Sequence, residues 1–308
     1  MHKLIKNMQI LTMLSEWKGK GVLAMWKANF EQPGDGITYK RHVTVEQGSF
    51  EFHLHNEYEI YFFIRGDVHY FVENSIYALQ YGDLLLFNSY EIHRATFLSD
   101  KPYERVVIHF SPELMDSLST QTTDILRCFR RRPKGEKNLL RLSEHQIVQF
   151  LSYTDKISQV CGKSGYGADV LTKTYLAELL VYINILFENR ESGVEKETIS
   201  AKIQEMLEYI DNNIQGNLSL ESLEQRFLTN RYTLSRDFKK ETGSTIYSHI
   251  IAKRISCAKQ LLEEGQSVMD ACAQTGFNDY TNFIRTFKKV TGMTPHQYRK
   301  VQEKRKNG

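Results

Sequence analysis

The sequence predicts an α+β chain of more than one domain, with a β-barrel and flanking helices first and an all-α domain last. Three observations predict it. Short aromatic and β-branched runs, "EIYFFI", "VHYFVE", "GDLLLF" and "ERVVIHF", follow one another between residues 20 and 110. Turn signals such as Arg65-Gly66-Asp67 and Tyr81-Gly82-Asp83 separate them, which is the spacing of a barrel or sandwich. From about Ser143 the pattern changes to apolar residues at helical spacing. The last third then writes one segment twice. "YTLSRDFKKETGSTIYSHI" begins at Tyr232 and "TNFIRTFKKVTGMTPHQYR" at Thr281, forty-nine positions later, with Arg, Phe, Lys-Lys, Thr-Gly and Thr in the same register.

At 308 residues the chain holds two ordinary domains. Its 41% apolar and 25% charged residues are those of a soluble globular protein. No run approaches the roughly 18 apolar residues of a membrane span, and "MHKLIKNMQILTML" lacks a small-residue cleavage site, so neither a span nor a signal peptide is expected. The four cysteines are scattered, which suits a reducing cytoplasm and argues against both a disulfide frame and a zinc finger. Charge is uneven. Residues 200–308 carry 17 basic against 12 acidic side chains, and residues 1–199 carry 23 against 25. A basic C-terminal part points weakly to nucleic acid.

In chain order, the strand-rich region is followed by "RCFRRRPKGEKNLLR", read as a mobile, solvated basic loop because no periodicity organises its charges. "SEHQIVQFLSYTDKISQV" and "ADVLTKTYLAELLVYINILFENR" are helices without internal Gly or Pro. The second carries two stripes, Leu171, Tyr175, Leu179, Tyr182, Leu186 and Leu176, Leu180, Ile183, Phe187. One stripe suits the barrel and the other a second subunit, or both the core. Polar "ESGVEKETIS" is the linker. The expected domains are therefore 1–190, linker 191–199, and 200–308.

Each repeat copy reads as two helices and a turn. Copy one is "LESLEQRF", "LTN", "RYTLSRDFKKET"; copy two is "VMDACAQT", "GFND", "YTNFIRTFKKVT". Asn230 and Asp279 are N-cap residues, and Gly243 and Gly292 end the second helices. Thr294-Pro295 starts a further helix. Leu234, Phe238, Phe283 and Phe287 face inward, which leaves Arg231, Tyr232, Ser235, Arg236 and Tyr280, Thr281, Ile284, Arg285 outward, where an N-terminal half-helix meets base edges in a major groove. Lys239-Lys240 and Lys288-Lys289 suit phosphates. A connecting helix over Thr245–Glu263 spans roughly 28 Å and would hold the two reading helices about one DNA turn apart.

"RISCAKQLLEEGQSVMDACAQTGFNDYTNFIRTFKKVTGMTPHQYR" resembles the signature segment of the AraC/XylS transcriptional regulators. The resemblance implies a seven-helix domain with two helix-turn-helix units, base contacts at the eight outward residues just named, binding beside promoters with RNA polymerase near, and homodimers. Glu224 departs from the small Ala usual in the family, whereas its repeat counterpart Ala273 fits. That carboxylate is expected to tilt to solvent or loosen the first unit.

"GSFEFHLHNEYEIYFFIRG" and "GDLLLFNSYEIH" place His53, His55, Glu59 and His93 in a pattern that resembles the two cupin motifs, with Asn88 and Tyr90 departing from the second. His-x-His on a strand puts both rings on one face. Three readings stay open: a metal-dependent dioxygenase or isomerase using the four as ligands, a metal-free effector pocket that adds Tyr61, Tyr70 and Trp26, and histidines satisfied by backbone. The fused DNA reader favours sensing without a cofactor or metal, with a carbohydrate-type effector. The polar linker leads to the further expectation that this pocket is structurally separate from the DNA reader.

Overall fold

The computed structural model describes residues 36–44, 52, 54–190 and 199–306, the last helix to Glu303 in its side chains. Among them, eight strands form two antiparallel sheets. The larger runs in the order β1 (Ile37–Thr44), β7 (Tyr103–Phe110), β2 (Tyr58–Arg65), β5 (Asp83–Phe87), β8 (Leu139–Arg141). The smaller runs β4 (Ser75–Ala78), β3 (Val68–Val72), β6 (His93–Phe97). The four quoted runs become β2, β3, β5 and β7.

Period-2 alternation sorts these strands into layers. Tyr58, Ile60 and Phe62 of β2, with Val106, Ile108 and Phe110 of β7, face a helical layer. Tyr61 and Phe63, with Tyr103 and Val107, face the smaller sheet. The helical layer is α3 (Glu144–Val160) and α4 (Ala168–Glu188), preceded by the short α1 (Pro112–Asp116) and α2 (Arg127–Arg130). Helix α3 opens on a capping box, Ser143 with Gln146. Helix α4, 21 residues long with a window of mean hydropathy 1.4, has the length and composition of a membrane span, but Asp169, Lys173 and Glu178 interrupt it and its apolar residues pack in the core. Both of its stripes face inward apart from exposed Leu171, with Leu176, Leu179, Leu180, Ile183 and Phe187 in the barrel-side core. Of the two arrangements expected, the stripes follow the one in which both join the core, and the exposed apolar residues of the central turns are Val181 and Ile185.

The basic loop is also corrected. Arg132 is fully buried and forks onto both oxygens of buried Glu91, at 2.5 and 2.6 Å, while also donating to the carbonyls of Leu86 and Cys128. The chain then runs on into β8, which pairs with β5. Buried carboxylates require charged partners, and the loop supplies them.

The C-terminal domain has seven helices among the described residues: α5 (Ala201–Asn212), α6 (Leu220–Phe227), α7 (Arg231–Thr242), α8 (Ile246–Glu263), α9 (Val268–Gln274), α10 (Tyr280–Thr291) and α11 (Pro295–Lys306). Asn230 caps α7 and Asp279 caps α10, each through its side chain. Gly243 and Gly292 end those helices in the left-handed conformation. Glu224 tilts outward as expected, and its carboxylate accepts the backbone N–H of Arg231, so it caps α7 instead of loosening the unit.

The two-sheet part and the helical part, expected to be structurally separate, share one core. The outer face of the smaller sheet, Phe71 and Ile76 with Phe52 and Ile92, joins the hydrophobic core of the helical domain. Helix α8 supplies the polar contacts. Lys253 Nζ lies 2.6 Å from Glu73 and 2.6 Å from Asp211. Ser256 donates to the Tyr90 carbonyl, and fully buried Lys259 donates to the carbonyls of His55 and Ser89. His249 sits among the rings of Phe52, Phe71 and Phe238, and among the described residues neither ring nitrogen has a hydrogen-bond partner.

Burial first, then the charge of Lys253, pulls the His249 pKa from 6.5 to about 3. Above pH 6.5 the ring is neutral both folded and unfolded and adds no pH dependence. As pH falls below 6.5 the unfolded chain takes a proton that the folded chain refuses, so stability is lost progressively towards pH 3. The loss from this residue is about 2 kcal/mol at pH 5. In urea titrations at pH 7 and pH 5, His249→Phe should lose correspondingly less stability than wild type; equal losses would contradict a neutral buried ring.

Candidate functional site

One end of the space between the sheets is a cavity of about 130 Å³. Alternate residues of β7, Tyr103, Arg105, Val107 and His109, line one wall. Glu59 and Tyr61 of β2, His42 of β1, Tyr70 of β3, Ala95 of β6 and His55 complete it. The alternation is why four consecutive odd positions of β7 reach the same space, while Glu104 turns away to Arg41 and Arg65.

Glu59 is the polar centre. Its Oε2 lies 2.9 Å from His55 Nε2, 3.3 Å from His109 Nε2 and 3.3 Å from His93 Nε2. Burial disfavours its charge, but His55 and His109 outweigh that and hold the carboxyl well below its ordinary value. For His109 burial again opposes charge, yet the hydrogen bond and the charge of Glu59 prevail and its pKa rises. For His55 burial wins, and its pKa falls to about 4. Burial and then Arg105 bring His42 to about 4 as well. The site thus sets a carboxylate against His109, whose charged form it favours, while burial keeps His55 and His42 in their neutral form. Buried Tyr61 and Tyr103 share a hydroxyl–hydroxyl hydrogen bond, and burial raises both their pKa values.

Of the residues expected here from the sequence, His55, Glu59, Tyr61 and Tyr70 line the cavity. His93 lies behind its wall, stacked on Phe87 at 4.1 Å, with Nδ1 donating to the Glu91 carbonyl. His53 and Trp26 lie outside the described residues. The sequence reading missed His42, Tyr103, Arg105 and His109. Alternation in "YERVVIHF" would have put Tyr103, Arg105 and His109 on one face. One donor atom each from His55, Glu59 and His109 lie within 4.8 Å of one another, a set able to hold a divalent ion once His109 loses its proton.

The outward faces of α7 and α10 form the second surface. Arg231, Tyr232, Arg236 and Lys239 on α7, and Tyr280, Thr281, Arg285 and Lys288 on α10, are exposed; Ser235 and Ile284 are half-buried. Leu234, Phe238, Phe283 and Phe287 are fully buried, as the inward assignment requires. Arg236 leans on Asp237 and Arg285 on Asn282, contacts at the surface that a ligand can displace.

A pocketed two-sheet domain docked on paired helix-turn-helix units defines a DNA-binding transcription regulator with a ligand-binding domain. Residues 38–180 match the family described as "AraC-like ligand binding domain", and residues 223–301 match "Helix-turn-helix domain". The uncharacterized HTH-type transcriptional regulator YbfI of Bacillus subtilis is 28% identical over 236 residues, covering 75% of this chain and 80% of that protein. The multiple antibiotic resistance protein MarA of Escherichia coli is 30% identical over 105 residues, covering 34% of this chain and 83% of that protein. The solved structure of ToxT from Vibrio cholerae aligns over 86% of this chain and 98% of its own at 17% identity, with a TM-score of 0.36, too loose to carry detail. The chain belongs to the AraC/XylS family of transcriptional regulators.

The Glu59 cluster has a direct test. In a proton NMR titration the His109 ring should titrate above the ordinary 6.5, and Glu59→Gln should bring it below 6.5, since burial, the largest influence, is then opposed only by the lesser pull of Glu57 and is helped by Lys40. A His109 ring that does not titrate at all between about pH 5 and 9 would instead indicate an ion held in place of its proton.

Proposed function

We propose that the chain is a one-component cytoplasmic regulator. A small carbohydrate-type effector, bound between the two sheets, alters how the two reading helices engage successive major grooves of promoter DNA beside RNA polymerase. The sensor is taken as residues 1–190, the linker as 191–199 and the reader as 200–308. Binding rather than turnover is the role of the pocket, because its groups are arranged around a neutralised carboxylate, and its relatives are regulators.

The observation that carries this reading is an adjacency. His55 lines the cavity, and the next residue, Asn56, donates to the carbonyl of Thr291 at the C-terminal end of α10. His93 backs the cavity, and the next residue, Arg94, donates to the carbonyl of Gly243 at the end of α7. The ends of both reading helices are therefore held by residues next to the pocket. Gly243 leaves no slack: a Cβ there would stand 2.5 Å from Thr96 Oγ1 on the same strand as Arg94. A ligand that moves the backbone at His55 or His93 moves the grip on both helices, which is a differential contact of the kind that population shift requires.

The DNA contacts rest on the exposed faces of α7 and α10 and on helix α8 between the two units. Its 18 residues span about 27 Å, close to one DNA turn. A homodimer is supported by exposed Val181 and Ile185, one turn apart on the outer side of α4.

Arg236→Ala and Arg285→Ala should each weaken operator binding by about 1–3 kcal/mol and relax preference at one or two base pairs. Lys288→Ala should weaken all sequences alike and reduce the salt slope by about 1. Mobility-shift titrations over selected and scrambled sites would separate the two patterns. Unchanged affinity and preference in both Arg variants would remove α7 and α10 from the groove.

A further inference from the structure

One cation of the pocket faces no carboxylate, and it names a ligand class. Glu59 Oε2 is already taken by His55, His109 and His93, at 2.9, 3.3 and 3.3 Å. Arg105 remains. It projects inward from β7 beside Tyr103 and Val107, with its guanidinium carbon 4.2 Å from the centre of the Tyr103 ring. Its Nη1 donates to Thr44 Oγ1 at 2.7 Å. Among the described residues no carboxylate pairs with it. The nearest acid along the strand, Glu104, faces the other way and is held by Arg41 and Arg65. The other buried acids of the barrel are likewise taken: Asp83 by Arg141, Glu91 by Arg132, Glu73 by Lys134 and Lys253.

A guanidinium offers five N–H donors in a planar fork that matches a carboxylate. One protein hydrogen bond uses one of them. The tyrosine ring behind the fork fixes its plane without neutralising it. The remaining wall, the Tyr61–Tyr103 hydroxyl pair, Tyr70 and the imidazoles of His42 and His55, exchanges hydrogen bonds with hydroxyl groups. A cavity near 130 Å³ is slightly smaller than one of about 150 Å³ that holds benzene. Its enclosed part takes three to five carbons with their oxygens rather than a whole disaccharide.

We propose that the effector is a small hydroxylated carboxylic acid, of the sugar-acid type, whose carboxylate pairs with Arg105 and whose hydroxyls meet the tyrosine and histidine wall. This rests on the reading of the cavity as the effector site and sharpens it from carbohydrate to acidic carbohydrate. Arg105 is then the residue that separates acids from their neutral alcohols. The discrimination arises because a neutral isostere leaves the half-buried fork without its charged partner.

The test uses the full-length protein and matched probes: glycerate, threonate and xylonate against glycerol, threitol and xylitol, by thermal shift and calorimetry at millimolar concentration. At least one acid should stabilise the wild type while its alcohol does not. Arg105→Gln should weaken that acid by about tenfold or more, and Arg105→Lys by less, because it keeps the charge but not the fork. Circular dichroism of the unliganded variants checks that each is folded. An alcohol that binds as well as its acid, an acid that binds Arg105→Gln as tightly as wild type, or no response to any acid would overturn the proposal. The effector reading fails differently: the acid would bind through Arg105, yet affinity for promoter DNA would not change.

Discussion

The three-stranded sheet of β4, β3 and β6 is apolar on both faces, and the remaining organisation follows from covering them. Its inner face, Val68, Tyr70, Val72, Tyr77 and Ala95, closes on the larger sheet and leaves the polar cavity at one end. Its outer face, Phe71 and Ile76, is covered by the helical domain. Each such side chain contributes about 1.5–3 kcal/mol as an upper bound, so a handful of them outweighs the cost of docking two domains. The polar contacts of α8 then choose the orientation. Lys253 between Glu73 and Asp211, and Lys259 on two carbonyls, add little net stability while paired, but each penalises a misaligned arrangement by leaving a charge buried.

The same strand alternation that closes the core makes the sheet a two-sided device. On β6, His93 faces the larger sheet and Arg94 faces the reader. Before β2, His55 and Asn56 divide in the same way, and Lys259 grips the carbonyl of His55 itself. The cavity wall and the ends of α7 and α10 are thus separated by one residue and not by a chain of intermediates.

What the sequence made legible was the local structure. The two helix-turn-helix units could be read because caps, turns and terminal glycines, Asn230, Asp279, Gly243 and Gly292, lie within a few residues of the helices they define. Strands β2, β3, β5 and β7 could be read because their residues are bulky and bounded by turns. Long-range pairing was hidden. Arg132 and Lys134 looked like loop charges because their acids, Glu91 and Glu73, lie some forty and sixty residues earlier. The docking face of α8 was hidden because His249, Lys253, Ser256 and Lys259 are polar, and polar residues at helical spacing are ordinarily solvated. Half of the pocket could be read from the His-x-His run. The other half, Arg105 and His109, sat in a strand that was recognised for its apolar members alone.

The central claim is that the pocket and the reading helices share one structural element. Hydrogen–deuterium exchange on the full-length protein, with and without a selected operator duplex, tests it most directly and needs no effector. Operator binding should change protection not only in α7 and α10 but also in the backbone around residues 54–59 and 93–95, and the change in the latter should vanish in an Asn56→Ala/Arg94→Ala variant that still binds DNA. Protection changes confined to residues 200–306 in the wild type would contradict the account.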